Sequence, residues 1–146
     1  MTTDNMVTIV LNGAVRGKER VKTTKTGVTY TPERTVTFEG RLAYAAQIAM
    51  NGRPPLEGPL NMVVEMHFPI PASKPKRWKE AALTGRERPT VKPDWDNGGK
   101  LTDALNLIVW VDDKQIVEAT VRKFYSANPR TVVRVWPTAN LEGAFG

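Results

Sequence analysis

Leu60-Asn61-Met62-Val63-Val64-Glu65-Met66-His67-Phe68-Pro69-Ile70 alternates as a half-buried strand does. Met62, Val64, Met66 and Phe68 fall on one side of an extended chain, with Asn61, Glu65 and His67 on the other. Such a strand needs a second layer over its apolar face, so the surrounding sequence has to supply helices. His67 is the sole histidine of the chain. With no second histidine or cysteine beside it, it reads as a surface strand residue rather than a metal ligand, and Glu65 as part of the same polar face.

Upstream, Met6-Val7-Thr8-Ile9-Val10-Leu11 is a β-branched run that predicts a first strand, closed by Asn12-Gly13. Residues 17–27 are basic and unpatterned, and Lys18 and Arg20 there suit either solvent or a phosphate backbone. Thr31-Pro32-Glu33 supplies a cap, a first-turn proline and an acid, opening a helix that runs to about Met50, where Asn51-Gly52 stops it. Downstream, residues 71–91 read as a long basic loop with at most a short helical turn between Trp78 and Leu83. It carries Lys74, Lys76, Arg77, Lys79, Arg86 and Arg88 around Trp78, a pattern that fits a nucleic-acid backbone and a stacked base. Leu101 to Ile108 predicts a second helix, with Leu101, Ala104, Leu105 and Ile108 as its apolar stripe and Asp96 or Asn97 as its cap. Val109–Val111 suggests a brief strand. Gln115–Tyr125 and Thr131–Trp136 are the last two strands, turning at Asn128-Pro129, and residues 137–146 form a flexible tail. The expected fold is α+β: a small mixed β-sheet with two main helices packed against it.

With 146 residues, 40% of them hydrophobic and 25% charged, the chain has enough apolar material for one self-sufficient domain. It contains no cysteine, which excludes disulfides and thiolate metal sites. No apolar run is long enough to cross a bilayer, and the opening residues lack the regions of a signal peptide, so a cytoplasmic protein is expected. Lysine and arginine number 21 against 15 acids, a net charge of +6 that favours a polyanionic partner.

Against that positive background, Lys92-Pro93-Asp94-Trp95-Asp96-Asn97-Gly98-Gly99-Lys100 and the later pair Asp112-Asp113 gather carboxylates. In extended chain Asp94 and Asp96 leave the same face, and a helix starting near Asn97 brings Lys100 close to Asp96. Hard oxygen donors of this kind suit Mg²⁺ or Mn²⁺, which leave coordination positions for phosphate oxygens, and a neighbouring lysine can neutralise charge developing at phosphorus. Asp-x-Asp alone is more often a surface turn, and Asp112-Asp113 alone a hairpin tip. Trp95, Trp110 and Trp136 are expected in the core or at a subunit contact.

Lys92-Pro93-Asp94-Trp95-Asp96-Asn97, Lys100, Asp103-Ala104-Leu105-Asn106 and Trp110-Val111-Asp112-Asp113-Lys114-Gln115-Ile116-Val117-Glu118 together resemble the RusA family of Holliday junction resolvases. Gly17-Lys18-Glu19-Arg20, Tyr30-Thr31-Pro32 and Val121-Arg122-Lys123-Phe124-Tyr125 extend the resemblance, which implies one nuclease domain over residues 1–136. It further implies a homodimeric, Mg²⁺-dependent endonuclease, with Mn²⁺ as a substitute, that cuts four-way DNA junctions by paired symmetrical nicks without a small-molecule cofactor. By position, Asp94, Asp96 and Asp113 match the family's essential aspartates and Lys100 its catalytic lysine. Asp112 is either an auxiliary ligand or a turn former. Gly98-Gly99 departs from the family's bulkier residues, and two helical glycines at about 1 kcal/mol each are expected to loosen Lys100. A less selective branched-DNA nuclease and a junction-binding protein with weakened catalysis are the alternatives.

Overall fold

The computed structural model describes residues 5–15, 22–23, 29–30 and 33–138. The strand at the centre of the sequence is also central in space. β4 (Leu60–Pro69) lies between β5 (Ile116–Ser126), to which it is parallel, and β6 (Arg130–Pro137), to which it is antiparallel; β1 (Val7–Asn12) closes the far side, antiparallel to β6. The order β1-β6-β4-β5 makes a four-stranded mixed sheet, and the α+β expectation holds. Two short strands, β2 (Lys22–Thr23) and β3 (Thr29–Tyr30), pair separately, the first of them within the stretch read as unpatterned. Lys18 and Arg20 lie outside the described residues, as do 139–146 of the expected tail. Thr138 belongs to the body instead, its hydroxyl donating to Asn61 Oδ1.

Alternation decides which face is covered. Leu60, Met62, Val64, Met66 and Phe68 are buried, together with Val7, Ile9 and Leu11 of β1 and Val133 and Val135 of β6. Each such side chain contributes about 1.5–3 kcal/mol on leaving water. The covering layer is α1 (Glu33–Met50), whose Phe38, Leu42, Ala46 and Met50 join the same core. It stops where predicted: Asn51 and Gly52 adopt left-handed backbone, φ 47° and 80°, and Asn51 N donates to the Gln47 carbonyl at 3.1 Å.

The crossover from β4 to β5 departs from expectation in three places. Residues 71–91 are not one loop, because α2 (Lys76–Leu83) forms within them behind Pro75 and buries Ala82. Proline and glycine suggested breakage, but Pro75 precedes the first turn, where its missing N–H costs nothing. The second predicted helix starts and ends earlier: α3 (Trp95–Leu101) begins after Asp94 and tightens into a 3₁₀ turn over Thr102–Leu105. Leu107, at φ +71°, ends the run before Ile108. The expected Val109–Val111 strand is only a pair of bridges from Trp110 to Leu56 and Asn106.

The early start of α3 depends on Gly98. A Cβ at that position would sit 3.0 Å from Val121 Cγ1 and 3.4 Å from Val64 Cγ1, so the bare backbone lets the helix press onto β4 and β5. Gly99 meets nothing within 4 Å. The two glycines therefore do different jobs, and only Gly99 carries an uncompensated helix penalty. Gly99→Ala should stabilise the protein by about 0.5–1 kcal/mol. Gly98→Ala should lose that gain to overpacking of about 1–3 kcal/mol. Urea denaturation of both variants checks the contrast.

Candidate active site

Asp94 holds extended backbone (φ −70°, ψ 164°) at the cap position of α3, so Trp95 and Asp96 already lie in the first helical turn. Asp94 and Asp96 therefore do not project together from an extended strand. One is at the helix cap and the other one residue inside, a placement that also favours negative charge near the helix N-terminus. Trp95 between them is 69% exposed, which takes it out of the core and leaves a subunit contact as its expected role. Lys100 Nζ sits 3.4 Å from Asp96 Oδ2, one turn along and in contact as expected. Both groups are about half exposed, so the pair contributes only about 0.3–0.5 kcal/mol.

Asp113 comes from the other end of the crossover, in a 3₁₀ turn over Asp113–Gln115. The fully buried Trp110 donates its indole N–H to Asp113 Oδ1 at 2.8 Å. Asp112 has a different job. Its Oδ1 accepts from Lys114 N at 2.9 Å, while Gln115 Oε1 accepts from the backbone N–H groups of Val111 and Asp112, both at 2.8 Å, a reciprocal capping box. The Gln115 amide in turn donates to the Leu56 and Gly58 carbonyls at 2.9 and 3.0 Å, tying the corner to the chain before β4. Of the two roles open to Asp112, the hydrogen bonds support that of turn former. Sequence reasoning missed Gln115 and the Trp110 indole, and the Asp-x-x-Gln spacing was the available signal for the first.

Among the described residues, no three His, Asp or Glu side chains stand close enough to share a metal ion. The chemistry of the donors still fits a hard cation of the Mg²⁺ class, which needs only one or two carboxylates and completes its shell with water and substrate phosphate. The basic residues are distributed around α2. Lys74, Lys76, Arg77 and Arg86 are exposed, and Arg77 and Arg86 line an open cleft of about 730 Å³ with Trp78, Glu80 and Glu87. Trp78 packs edge-on to Tyr125 with Lys74 Nζ 5.0 Å from its ring. Arg88 is committed to the protein, donating to the Lys123 carbonyl at 2.6 Å and lying 4.1 Å over the Phe124 ring.

Phe124 also stacks on His67, where Glu65 accepts from Arg134 at 3.1 Å and pairs with His67 at 3.4 Å. Burial raises the Glu65 carboxyl, but the hydrogen bonds and charges of Arg134 and His67 outweigh it and hold its pKa below the usual value. Burial lowers the His67 pKa, Glu65 opposes this, and Arg130 and Arg134 add to the lowering. Both side chains are largely buried rather than on the surface as expected, and they pair with each other and with Arg134.

The sequence matches the family Endodeoxyribonuclease RusA over residues 12–136, most of the chain. The chain belongs to that family of endonucleases. It is also 43% identical over 97 residues to "Uncharacterized protein YqaN" of Bacillus subtilis (strain 168), covering 63% of this chain and 68% of that one.

Two outcomes are expected from these contacts. Asp112→Ala should cost about 1 kcal/mol in thermal or urea unfolding, and Asp112→Asn, which keeps the acceptor, much less. Glu65 and His67 both have lowered pKa values, so the native state binds fewer protons than the unfolded chain. Stability from this pair is present above the ordinary histidine pKa of about 6.5 and declines as pH falls below it, first through His67 and then through Glu65. His67→Gln should flatten the upper part of that decline in a pH series of unfolding midpoints.

Proposed function

We propose that this chain is a Mg²⁺-dependent endonuclease that resolves four-way DNA junctions by paired symmetrical nicks. The family match over residues 12–136 carries the reading. The contact of Lys100 with Asp96 beside an exposed Asp94 supports the assignment of residues.

Asp94, Asp96 and Asp113 are the proposed donors for the metal, with Mn²⁺ as a substitute; as they stand the three do not share one ion, so joint coordination requires them to draw together. Bound there, the cation would polarise the scissile phosphodiester and lower the pKa of an attacking water. Lys100 begins paired with Asp96 and is exposed enough to turn toward a phosphate oxygen, where its charge meets the negative charge that grows during attack. Lys74, Lys76, Arg77, Lys79 and Arg86 would contact DNA phosphates around α2, as would Lys18 and Arg20. Two symmetric nicks call for two equivalent sites, hence a twofold homodimer acting on DNA in the cytoplasm.

Cleavage of a synthetic four-way junction in Mg²⁺ tests the proposal. Asp94→Asn and Lys100→Met should each slow nicking by a factor of about 10²–10³ while leaving junction binding intact. Comparable cutting of linear duplex at matched salt would replace junction resolution with a less selective nuclease. Salt-sensitive junction binding without nicks under any divalent ion would make the chain a binding protein.

A further inference from the structure

The acidic corner contains one contact that core packing alone does not require. Trp110 is 1% exposed, in the cluster that also holds Leu101, Leu105 and Val109. Its only polar atom, Nε1, is aimed out of that cluster at the carboxylate of Asp113, 2.8 Å away. A buried indole needs an acceptor, and a backbone carbonyl or water would serve. Here the acceptor is the side chain of an exposed residue that the preceding section assigns to the metal. An exposed aspartate otherwise samples several side-chain rotamers, and its carboxylate torsion is broad.

We infer that Trp110 is a positioning residue for the metal site: its indole N–H pins Oδ1 of Asp113 and so presents the rest of the carboxylate to the cation. The inference rests on the assignment of Asp113 in the proposed function. The backbone of the same turn is fixed independently by Gln115, which holds Val111 and Asp112 from one side and Leu56 and Gly58 from the other. Main chain and carboxylate are thus restrained by different residues, so loss of the indole bond releases the carboxylate without dissolving the turn. Groups that orient a metal ligand in this way typically govern metal affinity by about 10- to 100-fold.

The experiment compares Trp110→Phe, Asp113→Asn and the unaltered protein for Mn²⁺ affinity, by electron paramagnetic resonance without DNA. Asp113→Asn should weaken binding strongly and Trp110→Phe by about 10- to 100-fold. Metal-free junction binding by Trp110→Phe should match that of the unaltered protein. If Asp113→Asn weakens Mn²⁺ binding and a folded Trp110→Phe does not, the positioning role is overturned while the site assignment stands. If Asp113→Asn itself has no effect, the site assignment fails, and the positioning role with it.

A second measurement needs no variant at position 110. In ¹⁵N-tryptophan-labelled protein, Mg²⁺ titration should shift the indole N–H resonance of Trp110, identified by its response to Asp113→Asn. The shift should follow the same binding curve as the metal. An indole signal that Asp113→Asn moves and Mg²⁺ leaves still would also overturn the inference.

Discussion

Helix α3 reaches the sheet at a point where no side chain intervenes. Gly98 lies against Val64 of β4 and Val121 of β5, two strands that are themselves neighbours in the sheet. A methyl group there would push the helix outward, and with it Asp94 at the cap, Asp96 in the first turn and Lys100 in the last. Because the helix has only seven residues, displacement at its middle would be felt along its whole length. The location of Asp94 and Asp96 thus depends on a packing distance.

Carboxylates gathered in a basic protein would repel one another unless something offset their charge. In this fold the offsets are separate and local. Lys100 lies beside Asp96, an indole donates to Asp113, and a backbone N–H donates to Asp112. Three of the four acids, Asp96, Asp112 and Asp113, thus each have a separate partner. The surrounding cations lie on and beside α2, and the most thoroughly anchored of the group, Arg88, serves the protein rather than a ligand.

The sheet was readable because β4 alternates and its neighbours are β-branched, patterns that depend on burial alone. The long helix and its Asn51-Gly52 stop were equally plain. What misled was the crossover. The periodicity of Leu101 and Leu105 marks residues that are indeed buried, at 1% and 0% exposure, but the helix carrying Leu101 starts six residues earlier. Two glycines there were expected only to loosen the helical turn that carries Lys100. Local propensity counts Gly98 as a cost of about 1 kcal/mol, and only the position of Val121 shows that the missing side chain is what allows the contact. The pairing of Lys100 with Asp96 could be read from spacing, whereas the aim of the Trp110 indole could not. A buried tryptophan is visible in a sequence, but the direction of its one donor is not.

The sheet order also constrains when the molecule can come together. β4 is flanked by β5 and β6, and β1 by β6, so every pairing in the four-stranded sheet waits for residues beyond Gln115. During synthesis, Asp94, Asp96 and Lys100 leave the ribosome while the strands beneath their helix still lack neighbours. A nascent chain therefore carries these side chains well before it has a surface to mount them on. The surface beneath α3 is therefore completed only once β5 and β6 have joined β4.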